Sequence, residues 1–218
     1  VIEPLIFDIE TSPMPDDELE TVKPEFKARA NLRDPAKIAE DLAQKEVEWR
    51  DKAALSALTG RVVCVGFADG DEVEFWGNRN EPERDIVAAT FARIDRAILR
   101  NQKVVGHNIF GFDLPFLRRR AWKLDVPMPK MITENDWRRS PHLIDTMDLW
   151  SCNVYGDRIS LDNLGRHFGL QPKTHSGAEF ASLWDSDREA ALAYLEYDLW
   201  LTQRVYERLT ARPAPLIT

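Results

Sequence analysis

The sequence predicts an α/β fold: a mixed five-stranded sheet flanked by helices, with a helical insertion between its first and second strands. Three observations point there. Short β-branched, apolar runs such as 61–67 (RVVCVGF) have the pattern of strands buried on both faces. Longer stretches, such as 82–100, carry their apolar residues on one face at helical spacing. The order is three strands and then strand–helix alternation, the layout of a meander followed by crossover units.

Leu5-Ile6-Phe7-Asp8-Ile9-Glu10 reads as a short buried strand interrupted by two acids. Residues 11–34 are polar and contain proline, the pattern of a loop. Asp34-Pro35 starts a helix, with Asp34 as cap and Pro35 in the first position, and Ile38, Leu42, Trp49 and Ala53 continue it. Residues 11–60 together make the insertion. Arg61–Phe67 is the second strand, Asp69-Gly70-Asp71 a turn, and 72–76 (EVEFW) alternates as the return arm of a hairpin. The helix over 82–100 presents Ile86, Val87, Phe91, Ile94, Ile98 and Leu99 on one face. Lys103–Gly106 is a fourth strand, a helix follows near Leu114, 125–142 is a proline-containing loop, and Leu143–Trp150 is a fifth strand. Ser160 caps a short helix ending at Gly169, and 187–210 is the last long helix. The chain reads as one domain over 1–218.

Composition narrows the class. With 218 residues, 44% hydrophobic and 30% charged, the chain is long enough for one sizeable core. Lys and Arg number 29 against 37 Asp and Glu, a net charge of -8, so the chain is not built to coat nucleic acid by bulk charge. A local basic patch, or cations held by its carboxylates, would still allow such a partner. Cys64 and Cys152 have no metal-type spacing and suit a reducing compartment. No run approaches the ~18–20 apolar residues of a membrane span, and no basic-then-apolar signal opens the chain. Val1 in place of Met suggests a trimmed start. The expectation is a soluble, cytoplasmic protein with no membrane partner. There is neither a Gly-Lys-Ser/Thr phosphate loop nor a dinucleotide glycine pattern.

The informative residues are acids in apolar places. Asp8 and Glu10, at i and i+2 on a strand, point to one face. Two carboxylates so close repel, and burial raises the cost of both. A cation resolves this; an acidic strand end open to water, or ion pairs to arginine, would also do so. Asp113 stands where a strand has ended and a helix begins, the place where sites collect in open α/β sheets. A plain N-cap explains it as well, with Pro115 in the first turn. On the last helix, positions 191, 195, 198, 202, 205 and 209 form an apolar stripe that Asp198 interrupts, with Tyr194 one turn earlier on the same face. A buried Tyr–Asp hydrogen bond would satisfy this pair; so would a metal. Four acids from three segments make an oxygen-rich set suited to Mg²⁺ or Mn²⁺. Two such ions about 3.5–4 Å apart serve in-line attack at phosphorus.

These residues resemble the three motifs of the DEDD superfamily of 3′-to-5′ exonucleases. Asp-x-Glu matches Asp8-Ile9-Glu10, followed by Thr11; Asn-x(3–4)-Phe-Asp matches Asn108 through Phe112-Asp113; Tyr-x-x-x-Asp matches Tyr194 and Asp198. The histidine branch would need His at 193, where Ala193 stands, so the tyrosine branch fits. The segment Leu161-Asp162-Asn163-Leu164 and the run from Tyr194 to Asp198 look most like stand-alone relatives of the family B DNA polymerase proofreading domain. The resemblance implies a ribonuclease H-like fold. It also implies two divalent metals, Mg²⁺ or Mn²⁺, on Asp8, Glu10, Asp113 and Asp198, with Tyr194 orienting a water. The implied activity is removal of nucleoside 5′-monophosphates from the 3′ end of DNA, single-stranded or frayed. An RNA-trimming enzyme with the same site is an alternative. So is a proofreading or scaffolding subunit active only with a polymerase or replication partner, for which the charged helix bearing Trp49 offers a docking surface. The long charged insertion before Arg61 departs from the family pattern.

Weaker candidates surround the motifs. Asn108 fits a turn former or a donor beside the site, and Phe110 and Phe112 fit stacking on terminal bases or core packing. Arg118, Arg119, Arg120 and Lys123 fit phosphate guidance or a solvated helix face. Lys173 and His175 are substrate candidates in a loop. Asp145 and Asp148 fall in or beside the fifth strand, on opposite faces, with a structural role favoured for Asp145. His107 and Cys64 read as structural.

Overall fold

A computed structural model describes residues 2–77, 79–133, 137–152, 154, 156–172 and 180–211. The chain begins with β1 (Leu5–Pro13), α1 (Asp16–Thr21), α2 (Pro35–Asp51) and a 3₁₀ turn at Ala53–Leu55. Next come β2 (Gly60–Asp69), β3 (Glu72–Trp76), α3 (Glu83–Leu99), β4 (Val104–Gly106) and α4 (Asp113–Leu124). The remainder is α5 (Lys130–Thr133), a 3₁₀ turn at Trp137–Arg139, β5 (Leu143–Asp145), α6 (Thr146–Ser151), α7 (Leu161–His167), α8 (Phe180–Ser186) and α9 (Arg188–Thr210). The strands form one sheet in the order β3-β2-β1-β4-β5. β1 runs antiparallel to β2 and parallel to β4, and β4 runs parallel to β5. The mixed sheet expected from the sequence is therefore present, with β1 at its centre.

Strand alternation sorts the core into two layers. Leu5, Phe7 and Ile9 join Val65 and Phe67 beneath Ile86, Phe91 and Ile94 of α3 and Leu114 and Leu117 of α4. On the other face Ile6, Ala68 and Val105 meet Leu199 of α9, and Val63 and Cys64 meet Phe180, Trp184, Tyr194 and Leu195 of α8 and α9. α7 covers the outer side of α9 through Leu161, Leu164, Leu201 and Val205. Burial pushes the Cys64 thiol up to about 12, which leaves it unreactive. Among the described residues no helix is long and apolar enough to cross a membrane.

Gly66 sets how closely α9 lies on the sheet. It pairs with Asp8 across β1 and β2. A Cβ on Gly66 would fall 2.8 Å from Leu199 Cδ1 and 2.9 Å from Leu195 Cγ. Only glycine lets this helix settle directly over the strand pair that carries the first acid.

Four elements differ from the sequence expectation. The fifth strand ends at Asp145 rather than Trp150, because the Asp145 side chain accepts from Met147 N and caps α6. Asp148 consequently lies on a helix, not on a strand face. β1 continues to Pro13, so Thr11 and Ser12 belong to the sheet and not to the insertion. Within the stretch read as loop, α1 starts with Asp16, Asp17 and Glu18, acids placed where a helix dipole favours them. The loop read over 125–142 contains α5 and a 3₁₀ turn. Asp34 caps α2 as expected, with Pro35 at its start.

The segment between β1 and β2 is tied down by ion pairs rather than by a core of its own. Lys23 binds Glu46, Arg29 and Lys45 bind Asp41, and Arg50 reaches Asp16, Glu20 and Glu46. Trp49 packs edge-on against Phe26, with ring centroids 6.1 Å apart. The anchor to the main body is Arg120 of α4, only 2% exposed. Its guanidinium donates to both Glu83 oxygens (2.7 and 2.6 Å) and to Ala57 O (3.1 Å), and Glu83 also accepts from Val62 N.

Two variants test this packing. Gly66→Ala should lower stability by roughly 1–3 kcal/mol, the cost of overpacking, read from urea unfolding. Arg120→Met should cost about 3–5 kcal/mol because it strands a largely buried carboxylate, and Glu83→Gln added to it should recover part of the loss.

Candidate active site

Asp8 and Glu10 lie on the sheet face of Ile6, the face that packs on α9. Both carboxylates therefore meet the last helix where Asp198 projects from it. One carboxylate oxygen from each of Asp8, Glu10 and Asp198 lies within 4.8 Å of the others. Glu10 is 9% and Asp198 5% exposed, and Asp8 is half-buried. The β1–β2 register shifts immediately after Glu10, a bulge beside the cluster of the kind that re-aims side chains at functional sites.

Asp113 is not the helix cap that its position allowed. Phe112 occupies the cap position, without a side-chain cap hydrogen bond, and Asp113 is the first residue of α4. Its Oδ1 accepts from Ile9 N at 3.2 Å, a contact across 104 positions of the chain. The fourth acid thus lies against the strand segment between Asp8 and Glu10, outside the three-residue cluster but next to it. Burial, and then the charge of Asp8, push the Asp113 carboxyl well above the usual carboxylate range.

Tyr194 is 7% exposed and packs on Phe180, with ring centroids 6.0 Å apart. Its hydroxyl hydrogen-bonds Asp198 one turn along α9. Burial first, then the charges of Asp198, Glu10 and Asp8, raise its pKa above the ordinary phenol value. Tyr194 therefore keeps its proton near neutral pH and can donate a hydrogen bond.

The turn between β4 and α4 is held by Asp145. Its carboxylate accepts from Asn108 N (2.8 Å), Phe110 N (2.9 Å) and Met147 N (2.9 Å). Burial raises the Asp145 pKa, and these three N–H groups oppose that rise. The clamp allows Asn108 to sit in the left-handed region at φ 62°. Arg158 donates to Asn108 Oδ1 at 2.8 Å. Nothing in the sequence marked Arg158, because it lies in an exposed loop 50 positions away.

The remaining candidates are distributed as follows. Phe110 is 8% exposed within the α3/α4 core, with Arg138 over its ring. Phe112 packs on Phe116. Thr11 donates through its hydroxyl to Ala54 O at 2.8 Å and pins the 3₁₀ turn to the end of β1. Arg118 bonds Thr133 O and stacks on Trp122. The basic run is split, since Arg120 is a buried anchor and Lys123 pairs with Glu18. His107 bridges the Thr146 hydroxyl and Ile159 O. Lys173 and His175 lie outside the described residues.

The three-residue donor set is chemically uniform: carboxylate oxygens on one strand and one helix, with no sulfur or imidazole among them. Such a set fits a hard divalent cation of the Mg²⁺ or Mn²⁺ type.

Comparison with known proteins bears on this geometry. A search of curated proteins finds no match. Among solved structures, the family B DNA polymerase from the hyperthermophilic archaeon Pyrobaculum calidifontis is similar in fold, with a TM-score of 0.61 and 16% identity. The match covers 96% of this chain and 24% of the polymerase. It establishes an α/β fold of the ribonuclease H-like type. A family model described as a predicted 3′–5′ exonuclease related to the exonuclease domain of PolB matches residues 55–215. That span includes Asn108, Asp113, Tyr194 and Asp198, and β1 with Asp8 and Glu10 precedes it. On this match the chain belongs to the family of predicted 3′–5′ exonucleases related to the PolB exonuclease domain.

Proposed function

We propose that the chain is a single exonuclease domain of the tyrosine branch, with the helical segment between β1 and β2 as an insertion. In this reading it removes nucleoside 5′-monophosphates from single-stranded or frayed 3′ ends of DNA and depends on two divalent cations. The observation that carries this is the convergence of Asp8, Glu10 and Asp198 within 4.8 Å, with Asp113 drawn onto the same strand by its bond to Ile9 N. Carboxylates this close repel one another, and a bound cation relieves that repulsion.

Asp8, Glu10, Asp113 and Asp198 would hold the ions. Divalent cations bound there would lower the pKa of an attacking water and stabilise the departing 3′ oxygen. Tyr194, protonated and hydrogen-bonded to Asp198, orients the water rather than deprotonating it. The rigid sheet fixes Asp8 and Glu10, and the close seat of α9 over Gly66 fixes Asp198 and Tyr194 relative to them.

The test is a 5′-labelled oligonucleotide, as DNA and as RNA, with Mg²⁺, Mn²⁺ or EDTA. The expected result is a metal-dependent ladder shortening from the 3′ end, faster on DNA. A faster RNA ladder would transfer the activity to RNA trimming, and no cleavage of either would overturn the nuclease reading. Asp8→Ala and Asp198→Ala should each lower turnover by on the order of 10²–10³, the loss seen when an electrostatic contact to a transition state is removed. Tyr194→Phe should lower turnover by up to about a hundredfold, the cost of a misplaced reactant, with metal affinity retained. Thermal unfolding supplies an independent check. Mn²⁺ should raise Tm and EDTA should reverse it. Asp113→Asn should raise Tm of the metal-free protein by relieving repulsion, and should shrink the gain that Mn²⁺ gives.

A further inference from the structure

α9 has a face that neither the carboxylate site nor the core uses. Helical spacing puts Glu196, Trp200, Gln203 and Glu207 in one stripe, on the side of α9 opposite Asp198 and Tyr194. This stripe walls a groove of about 380 Å³, bounded across from it by Glu3 before β1 and by Asp71 and Val73 of the β2–β3 hairpin. An isolated exposed apolar side chain is ordinary, but Trp200 is positioned. It is 38% exposed, and its ring lies against Tyr197 with centroids 5.2 Å apart. Tyr197 is held in turn by its hydroxyl, which donates to Gln171 O at 2.6 Å. Carboxylates share the groove with this indole. Glu207 pairs with Arg204 at 2.8 Å, whereas among the described residues Glu3, Asp71 and Glu196 have no basic partner.

The groove adjoins an open sheet edge. β3 is outermost in the sheet, so among the described residues no strand pairs with its outer backbone N–H and C=O groups. Val73 pairs with Ala68, which packs with Leu199 of α9, so Val73 lies on the α9 face of the sheet and lines the groove. Glu72 and Glu74 alternate with it and put charge on the opposite face. A strand laid on β3 would therefore send every second side chain toward the groove and the others toward Glu72 and Glu74. A second copy of this chain, with net charge -8 and the same acids on its own β3, meets like charge there. A basic segment meets complementary charge on both faces. A guanidinium or ammonium entering the groove finds carboxylates beside an indole, surroundings that favour a cation.

We propose that the β3 edge and the Trp200 groove form a docking surface for an extended, basic segment of a protein partner. The segment adds a strand to the sheet and places an arginine or lysine side chain against Trp200. Because the stripe lies opposite Asp198 on α9, a docked segment leaves the carboxylate cluster open. None of the surface residues belongs to that cluster, so the surface stands apart from the exonuclease reading.

The probe is a short fluorescein-labelled peptide alternating arginine and threonine, titrated with the full chain and read by anisotropy. Saturable binding is expected, with amide hydrogen exchange slowed across 72–76. A matched peptide alternating glutamate and threonine should not bind. Trp200→Ala should weaken binding about tenfold, and Trp200→Phe by less. Glu196→Gln should weaken it about threefold and flatten its salt dependence. Glu196 and Trp200 are exposed, so these variants should fold; if Trp200→Ala does not, Trp200→Phe and Glu196→Gln still decide. Unchanged binding in the Trp200 and Glu196 variants, slowed exchange elsewhere than β3, or no binding by the wild-type chain overturns the proposal. Sedimentation that finds wild-type dimers dissociated by Trp200→Ala also overturns it and gives the surface to a second copy.

Discussion

Repulsion among carboxylates is the constraint around which this molecule is arranged. Asp8, Glu10 and Asp198 meet within 4.8 Å, and Asp113 is buried against the same strand. Left to themselves these groups would separate into water. They stay together because each is mounted on an element that cannot yield cheaply. β1 is central in the sheet, paired on both edges. α4 is held by Leu114 and Leu117 in one core layer and by the Arg120–Glu83 pair. α9 is held by Leu195 and Leu199 in the other layer and by α7 behind it.

The price is visible in the electrostatics. Asp113 has its carboxyl pushed far upward by burial and by Asp8, and Tyr194 has its hydroxyl pushed up by burial and by the same acids. Both shifts move in the direction that a cation would reverse. The framework stores repulsion that binding of a divalent ion can release, which links the stability of the fold to the chemistry proposed for the site.

A second layer of construction supports the first. Asp145 ends β5, caps α6 and gathers the N–H groups of Asn108 and Phe110 in one carboxylate. It thereby sets the turn that launches α4 and places Asp113. Arg158 then orients the Asn108 side chain from a distant loop. The turn that holds the Asn108 amide leads directly into the helix whose first residue is Asp113.

Much of this was readable in the sequence because it depends on local periodicity. Alternation placed Asp8 and Glu10 on one strand face, and the helical repeat placed Asp198 on a buried stripe with Tyr194 one turn away. Capping chemistry set the starts of α2 and α7 at Asp34 and Ser160. Where two local rules competed, the sequence could not arbitrate. Asp113 satisfied the pattern of an N-cap, and only the bond to Ile9 N, made across the sheet, assigns it otherwise. Leu143–Trp150 satisfied the pattern of a strand until the Asp145 side chain turned it into a helix. The run Arg118–Arg120 looked uniform, yet the helical twist buries Arg120, half-buries Arg118 and leaves Arg119 exposed. The Asn108–Arg158 bond and the seat of α9 on Gly66 join residues far apart in the chain. Local chemistry along the chain determined which residues form strands, helices and caps. Which distant residues share a site was decided only when the sheet and helices packed, because contact between them is a property of three-dimensional register and not of spacing.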